Sequence, residues 1–234
     1  MLRGNEGENE SNKQGTNTLE QGHTVSQQKT TVLDHGYVRF IEGWGSDSRV
    51  IEAARMSTDG SFRGWDKDDR LLRYLWTNKH STPFEMGGLV VEVQCPIFVA
   101  REWMRHRTQS YNELSGRYTE LPNLYYIPSI ERLMAGKQAQ KNKQSSEEGF
   151  TQKMAEIIQL DIRHQTEDAR VCYERLLEGG LARELARLVI PVNQFTRFRA
   201  SANLRNWLAF LSLRLDKSAQ WEIRQYAKAV AQII

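Results

Sequence analysis

The chain has 234 residues, of which 39% are hydrophobic and 26% are charged, and its formal net charge is +3 at pH 7. This length and apolar content suffice for one hydrophobic core, so we expect one domain with or without a tail. The small net charge argues against wholesale nucleic-acid binding, although clustered arginines could still bind an anion. No run of about 18 apolar residues occurs, so no membrane span is expected.

Residues 1 to 31 are almost free of large apolar side chains and are rich in Asn, Gln, Gly, Ser and Glu. Such a segment cannot offset the conformational entropy lost on ordering, and we predict a disordered tail followed by a globular domain at 32 to 234. The segment also lacks the apolar region of a secretory signal.

Apolar periodicity predicts the elements of the domain in chain order. YVRFIEGW (37–44) has the pattern of a strand, DSRVIEAARMS (47–57) that of a helix capped by Asp47, and DKDDRLLRYLWTNKH (66–80) that of a second helix. GGLVVEVQC (87–95) alternates as a strand does, and Pro96 is suited to open a helix that continues to Arg107. The C-terminal third is mostly helical, with a possible strand at TRFRASAN (196–203). The prediction is an α+β domain with a mainly antiparallel sheet flanked by helices.

Cysteine content indicates a reducing environment. Cys95 and Cys172 are the two cysteines, too few for a disulfide framework or a four-cysteine zinc site, and a cytoplasmic location is expected. Both are expected in the core, Cys95 at the end of a strand and Cys172 on an apolar helix face. His80 and His106 could suggest a metal, but no HExxH or paired-carboxylate spacing accompanies them, and no metal site is predicted.

The segment RHRTQSYNELSGRY, from Arg105 to Tyr118, concentrates positive charge. If the preceding helix includes it, Arg105 and Arg107 lie about 200° apart and face different ligands. The alternative is an exposed, charged helix end that interacts with the helix dipole. The following ELSGR sequence favours a binding role, because arginine forks, a serine hydroxyl and backbone N–H groups together can surround a phosphate.

This segment resembles the signature of the flavin-dependent thymidylate synthases, in which RHR is followed after seven residues by Ser (Arg105, His106, Arg107 and Ser115). The similarity extends to HSTPFE (80–85) upstream and to YYIPS, ELARLVIPVN, TRFRASANLRNWLAFLSLR and AQWEI downstream. It covers roughly residues 32 to 234, and several blocks in the same order make it more specific than RHR alone.

The resemblance implies the reductive methylation of dUMP to dTMP. Methylenetetrahydrofolate would be the carbon donor, FAD the hydride carrier and NADPH the reductant. It also implies a homotetramer with active sites at subunit interfaces, small-molecule partners, and neither a nucleic-acid nor a membrane partner.

The resemblance also implies the site residues. Those expected to bind dUMP are Glu102 at the entrance, Arg105, Glu113, Leu114, Ser115, Gly116, Arg117, Arg187 and Arg214. Those expected to bind FAD are Ser57, His80, Thr82, Arg105, His106, Arg107, Glu113, Asn203 and Arg205. Arg105 and Glu113 would therefore contact both ligands.

Arg214 is the predicted catalytic residue, because a guanidinium beside the uracil ring favours an electron-rich, N3-deprotonated pyrimidine. The alternative is a structural ion pair with Asp216 or Glu222. Ser115 could be a nucleophile in principle, but no base is identifiable beside it, and a ligand contact is preferred.

Four positions depart from the family pattern. Members often have Gln at the position of Glu102, His at Met86, Asn at Ala209 and His near Ser218. The loss of an amide at 209 predicts weaker FAD binding, and a carboxylate at 102 would repel phosphate unless it pairs with Arg101 or Arg105.

Two rival functions remain open. One is a flavoprotein of the same fold that methylates another uracil-type substrate or has lost activity. The other is an RNA-binding module, against which the absence of interleaved aromatic stacking positions argues.

Overall fold

The computed structural model describes residues 29 to 58, 60 to 138, 146 to 147 and 149 to 234. Residues 1 to 28 of the predicted tail lie outside the described residues. Lys29 to Thr31, which we assigned to the tail, instead form the first strand with Val32, so the predicted boundary is wrong by three residues. Their backbones pair with the neighbouring strand, from Lys29 opposite Arg39 to Thr31 opposite Tyr37, and this pairing requires no apolar side chains.

The main sheet is antiparallel and has five strands. They are β1 (Lys29–Val32), β2 (Gly36–Trp44), β3 (Gly88–Pro96), β4 (Ser110–Glu113) and β7 (Phe195–Asn203). Their order across the sheet is β1-β2-β3-β7-β4, and the short strands β5 (Lys137–Gln138) and β6 (Ser146–Glu147) pair separately. The predicted strands at 37–44, 87–95 and 196–203 are confirmed, as is the α+β class with a mainly antiparallel sheet.

Along the chain, the described residues form eight α-helices that alternate with these strands or follow them. They are α1 (Asp47–Arg55), α2 (Trp65–Thr77), α3 (Ile97–Trp103), α4 (Ile130–Met134), α5 (Gln152–Glu178), α6 (Arg183–Ala186), α7 (Leu204–Arg214) and α8 (Trp221–Ala231). Short 3₁₀ segments occur at Met56–Thr58, Thr82–Glu85 and Arg187–Val189. None of the described helices is long and apolar enough to cross a membrane.

The core lies between one face of the sheet and helices α3, α7 and α8. Its centre is Trp103, which is fully buried and contacts the rings of Phe198, Trp207 and Phe210 with centroids 4.5 to 6.3 Å apart. The sheet face that bears Arg199 is polar, so β7 alternates as its sequence predicts. This arrangement holds the end of α3 and the end of α7 against the same core.

Side-chain caps set where several helices begin. The Oγ of Ser46 accepts a hydrogen bond from the N–H of Arg49 at 3.3 Å, so Ser46 caps α1 and the predicted cap Asp47 is its first residue. Asp47 still favours the helix, because its charge lies at the positive end of the dipole. Asn203 caps α7 in the same way, with the Oδ1 atom 3.0 Å from the N–H of Asn206.

Candidate active site

The RHR segment forms a turn after α3 and is not part of the helix. The last residue of α3 is Trp103, and the N–H groups of Arg105 and His106 donate to the carbonyl oxygens of Glu102 (3.3 Å) and Trp103 (3.0 Å). Each of these bonds joins residues three positions apart, so the chain forms a tighter turn here than an α-helix does. The prediction that the helix continues to Arg107, with its two arginines about 200° apart, is wrong. Arg105 and Arg107 are both exposed.

Polar contacts of aromatic residues shape this turn. The hydroxyl of Tyr111 donates to the carbonyl oxygen of His106 at 2.9 Å and lies 3.2 Å from that of Trp103. The buried indole N–H of Trp103 donates to Oε1 of Gln109 at 3.0 Å. Burial raises the pKa of Tyr111 to about 12, so its hydroxyl stays a donor at physiological pH. The turn therefore depends on side chains inside the motif itself.

Arg214, the last residue of α7, reaches this turn from the far end of the chain. Its Nε donates to Nε2 of His106 at 2.9 Å, its Nη2 donates to the carbonyl oxygen of Glu102 at 3.1 Å, and its Nη1 pairs with the Glu102 carboxylate. The Arg214 side chain is only 16% exposed. Two residues of the motif region thus hold all three nitrogens of one guanidinium, and we call Glu102, His106 and Arg214 the arginine cluster.

His106 is neutral in this cluster. Burial, together with the positive charge of Arg214, lowers the pKa of His106 from 6.5 to about 4. Its Nε2 accepts the bond from Arg214, so its proton lies on Nδ1. The ring packs edge-on against Phe210, with centroids 4.9 Å apart. Neutral His106 therefore orients Arg214 without adding charge.

The ELSGR loop begins where β4 ends. Oε1 of Glu113 accepts a hydrogen bond from the hydroxyl of Thr196 on β7 at 2.6 Å, and the N–H of Leu114 donates to the carbonyl oxygen of Arg197 at 2.8 Å. Ser115 then starts a turn, in which its Oγ accepts from the N–H of Arg117 at 3.3 Å. A half-buried serine, the buried Gly116 and the exposed guanidinium of Arg117 thus follow one another on this loop.

An ion pair joins this loop to α6. The Nε of Arg117 lies 3.2 Å from the carboxylate of Glu184, and both side chains are more than half exposed. Arg187 begins the 3₁₀ segment that directly follows α6. Exposed pairs of this kind contribute little stability, so an anionic ligand could replace Glu184 at small cost.

A cavity of about 650 Å³ lies between the end of α2 and the outer side of α7. Apolar and aromatic side chains, among them Trp76, line it together with His80, Arg205 and Ala209. Arg205 also forms an ion pair with Glu85 of the neighbouring 3₁₀ segment. The cavity combines apolar and aromatic surface with two cationic residues, Lys79 and Arg205.

The other residues expected to bind FAD have local structural contacts. The Oγ of Ser57 donates to the carbonyl oxygen of Ala54 at 3.0 Å, and Thr82 opens the 3₁₀ segment Thr82–Glu85. Asn203 caps α7. Their roles as cofactor ligands stay predictions.

Comparison with known proteins identifies the family. A family model described as "Thymidylate synthase complementing protein" matches residues 39 to 234. The chain belongs to this family. Flavin-dependent thymidylate synthase of Thermus thermophilus is 44% identical over 203 residues, which cover 87% of this chain and 73% of that protein. The enzyme of the same name from Thermotoga neapolitana is 42% identical over 205 residues, which cover 88% of each chain.

Solved structures of this fold include the UMP/dUMP methylase PolB from Streptomyces cacaoi. The form bound with 5-Br UMP has a TM-score of 0.76 and 33% identity over 85% of this chain and 88% of that one. The form bound with 5-Br dUMP has a TM-score of 0.76 and 31% identity over 87% and 92% of the two chains.

In this member of the thymidylate synthase complementing protein family, most of the predicted site residues fall into three groups. These are the arginine cluster with its chain neighbours Arg105 and Arg107, the ELSGR loop, and the cavity that His80 and Arg205 line. Four predicted residues, Ser57, Thr82, Arg187 and Asn203, do not line the cavity. Within the described ranges, no hydrogen bond or ion pair links predicted residues of different groups. The shared roles of Arg105 and Glu113 stay predictions.

Two pairings that the sequence left open as alternatives do not occur. Arg214 does not pair with Asp216 or Glu222, because Asp216 accepts hydrogen bonds from Ser218, and Glu222 accepts from Arg132 at 2.7 Å. Glu102 pairs with Arg214 and not with Arg101 or Arg105. The end of α3 and the end of α7 are brought together only by the tertiary fold, so local sequence gave no sign of the contact.

Several residues of the site were not predicted. Thr196 holds Glu113, Glu184 holds Arg117, and Glu85 holds Arg205. All three partner residues lie within blocks that resemble the family, TRFRASAN, ELARLVIPVN and HSTPFE, and this resemblance could have identified them. Gln109 and Tyr111 lie inside the motif, between Arg107 and Glu113, but only the charged residues of the motif were considered as site residues.

Proposed function

We propose that this protein catalyses the reductive methylation of dUMP to dTMP, with methylenetetrahydrofolate as carbon donor, FAD as hydride carrier and NADPH as reductant. The Arg214 guanidinium carries the proposal, because it lies against the RHR turn with fixed orientation. Support also comes from relatives named flavin-dependent thymidylate synthase and from the structural likeness to PolB.

Arg214 has the chemistry to activate a pyrimidine. A guanidinium next to a uracil carbonyl stabilises negative charge on the ring and favours loss of the N3 proton, so the C5 carbon becomes a better nucleophile. His106 holds Nε, and Nη1 and Nη2 bond to Glu102, so a ring at Arg214 would have to share or replace a contact with Glu102. Cys95 is a poor alternative nucleophile, because full burial raises the pKa of its thiol.

In this proposal FAD binds in the cavity beside α7, and the chemistry of the lining supports it. Trp76 and His80 offer surfaces for a planar ring, and Arg205 offers a cation for a phosphate. A bound flavin supplies hydride transfer, which none of the standard side chains provides. Ala209 offers only a methyl group there, so we expect weaker FAD binding than an amide at this position would give.

The ELSGR loop is suited to the nucleotide phosphate. Ser115 and the backbone around Gly116 offer neutral donors, and Arg117 offers a guanidinium whose present partner, Glu184, is exposed. Arg187, on the segment after α6, adds a second cation. Leu114 and Glu113 would complete the contact with the nucleotide.

A homotetramer with active sites at subunit interfaces is part of the proposal. Exposed apolar side chains support an assembly, among them Ile157 and Leu160 on α5 and Leu188 after α6, which is 78% exposed. A cytoplasmic location is proposed with it, because both cysteines are free.

UMP is the second candidate substrate. PolB is named a UMP/dUMP methylase, and two of its structures carry 5-Br UMP and 5-Br dUMP. The two nucleotides share the ring and the phosphate that Arg214 and the ELSGR loop would bind.

The deciding experiment is turnover of purified protein with FAD, methylenetetrahydrofolate and NADPH, using dUMP or UMP as substrate. We expect dTMP from dUMP, loss of product when either folate or NADPH is omitted, and a yellow protein. Arg214→Ala should lower turnover by about a hundredfold or more, because a charge-stabilising donor is lost. The control Arg73→Ala removes an exposed arginine paired with Asp69 and should retain turnover. Product from UMP alone would favour the second candidate, and no product from either would contradict both.

A further inference from the structure

Arg214 carries its own counterion. The carboxylate of Glu102 pairs with Nη1, while the two other nitrogens bond to the carbonyl oxygen of Glu102 and to His106. Both charged side chains are largely shielded, with 16% of Arg214 and 27% of Glu102 exposed. A charge pair shielded from water interacts more strongly than one in bulk solvent.

The arginine cluster therefore has no net charge. Glu102 and Arg214 cancel, and His106 is neutral at physiological pH, because its pKa is lowered to about 4. The neighbouring cations Arg105 and Arg107 are exposed and screened by solvent. An electron-rich uracil ring bound at Arg214 would thus meet a guanidinium whose charge is already compensated.

One of the three contacts can be released without loss of the others. The bond to Nη1 involves only the Glu102 side chain, which is the more exposed member of the pair. The bonds to Nε and Nη2 come from the His106 ring and from a backbone oxygen. Rotation of the Glu102 side chain would free Nη1 and leave Arg214 in position.

We infer that the carboxylate of Glu102 occupies the place on Nη1 of Arg214 that the uracil ring takes, and that the nucleotide binds in competition with it. Glu102 is then a positioning residue that keeps Arg214 ordered and lowers the affinity for the nucleotide. This inference rests on the proposed function, since it assigns the pyrimidine to Arg214.

The test is the affinity for dUMP of the FAD-loaded protein, measured by isothermal titration. Glu102→Gln keeps the shape of the side chain and one acceptor oxygen but removes the charge. The uracil ring should therefore displace this side chain from Nη1 of Arg214 at a lower cost in free energy. We expect its Kd for dUMP to be about five- to tenfold lower than that of the wild type. Glu102→Ala should shift the Kd in the same direction. The control Glu167→Gln removes the same charge from an exposed pair on α5 and should leave the Kd unchanged.

The double variant Glu102→Gln/Arg214→Ala separates competition from a general charge effect. If Glu102 acts through Arg214, the double variant should bind dUMP as Arg214→Ala does, without the gain. A purely structural role for Glu102 predicts the opposite sign, with a lower unfolding temperature and weaker binding in Glu102→Gln.

The outcomes distinguish this inference from the proposed function. An unchanged or raised Kd in both Glu102→Gln and Glu102→Ala, with the wild type binding dUMP, overturns the inference alone. A wild type that binds neither dUMP nor UMP contradicts the proposed function, and the inference falls with it.

Discussion

His106 shows how one contact decides the state of a titratable side chain. Its sequence position, between two arginines of a basic segment, gives no indication of burial. In the fold, its ring packs against Phe210 and its Nε2 accepts from Arg214, so the protonated form is disfavoured both by burial and by a like charge. The histidine of the motif is thus an acceptor and not a third cation.

This state predicts a pH-dependent stability. The folded pKa of about 4 lies below the ordinary value of 6.5, so between these values the unfolded chain binds a proton that the folded chain does not. The contribution of His106 is complete above pH 6.5 and is lost as the pH falls towards 4. His106→Gln, which keeps an acceptor but does not titrate, should lose less unfolding free energy between pH 7 and pH 5 than the wild type.

Urea unfolding at the two pH values measures this difference. The control His164→Gln changes an exposed histidine on α5 and should follow the wild type. Equal pH slopes for the wild type and His106→Gln would contradict the lowered pKa.

At the scale of elements, helix α7 packs in the core and also carries residues of the candidate site. It begins at the cap Asn203, carries Arg205 and Ala209 along the cavity, and ends at Arg214 in the arginine cluster. One helix of 11 residues therefore lies beside both the cavity and the cluster. Its placement on the core sets the geometry of both groups.

Asn203 caps α7 and is also predicted to bind FAD, and substitutions can distinguish these two roles. Asn203→Ala removes the acceptor for the N–H of Asn206 and should lower the free energy of unfolding by about 1 kcal/mol. Asn203→Asp retains a capping oxygen and should keep most of that stability. If Asn203 also binds FAD, the aspartate variant should still bind FAD less tightly, because its charge repels the phosphates.

Denaturant unfolding and FAD titration of both variants provide the two measurements. Loss of FAD affinity in Asn203→Ala alone, with normal affinity in Asn203→Asp, would indicate that Asn203 acts on the cofactor only through the helix.

At the scale of the whole molecule, the core brings distant segments together. Trp103 closes α3 and packs against Phe198 of β7 and Phe210 of α7, so the motif turn and the end of α7 rest on the same aromatic cluster. Helix α5 buries Ala155 and Tyr173 within the chain but leaves other apolar side chains exposed. Leu160 is 52% exposed and Ile157 is 48% exposed.

The proposed tetramer makes a prediction for this face of α5. Leu160→Asp changes an exposed position, so it should leave the folded chain intact but shift the assembly to smaller species. The control Gln165→Asp adds the same charge at an exposed polar position of α5 and should retain the wild-type mass. Light scattering after size exclusion measures both masses, and an unchanged mass for Leu160→Asp would exclude Leu160 from the interface.

Much of the fold follows from local pattern. The alternation in 87–95 and 196–203 predicts the two central strands, and apolar spacing predicts helices α1 and α2. Lys29 to Thr31 escaped prediction because edge pairing uses the backbone, which polar residues provide equally well. The end of α3 was not predicted, because the hydrogen bonds that stabilise the turn come from Gln109 and Tyr111, which follow the helix in the sequence.

The sequence by itself determined the family, the types of residue at the candidate site and most of the secondary structure, because these depend on motifs and short-range periodicity. Only the tertiary structure decided that Arg214 pairs with Glu102 and that His106 is neutral. These contacts join residues 112 and 108 positions apart, and their existence depends on how α3 and α7 pack on one core. Local sequence carries no information on which distant charges such packing will bring together.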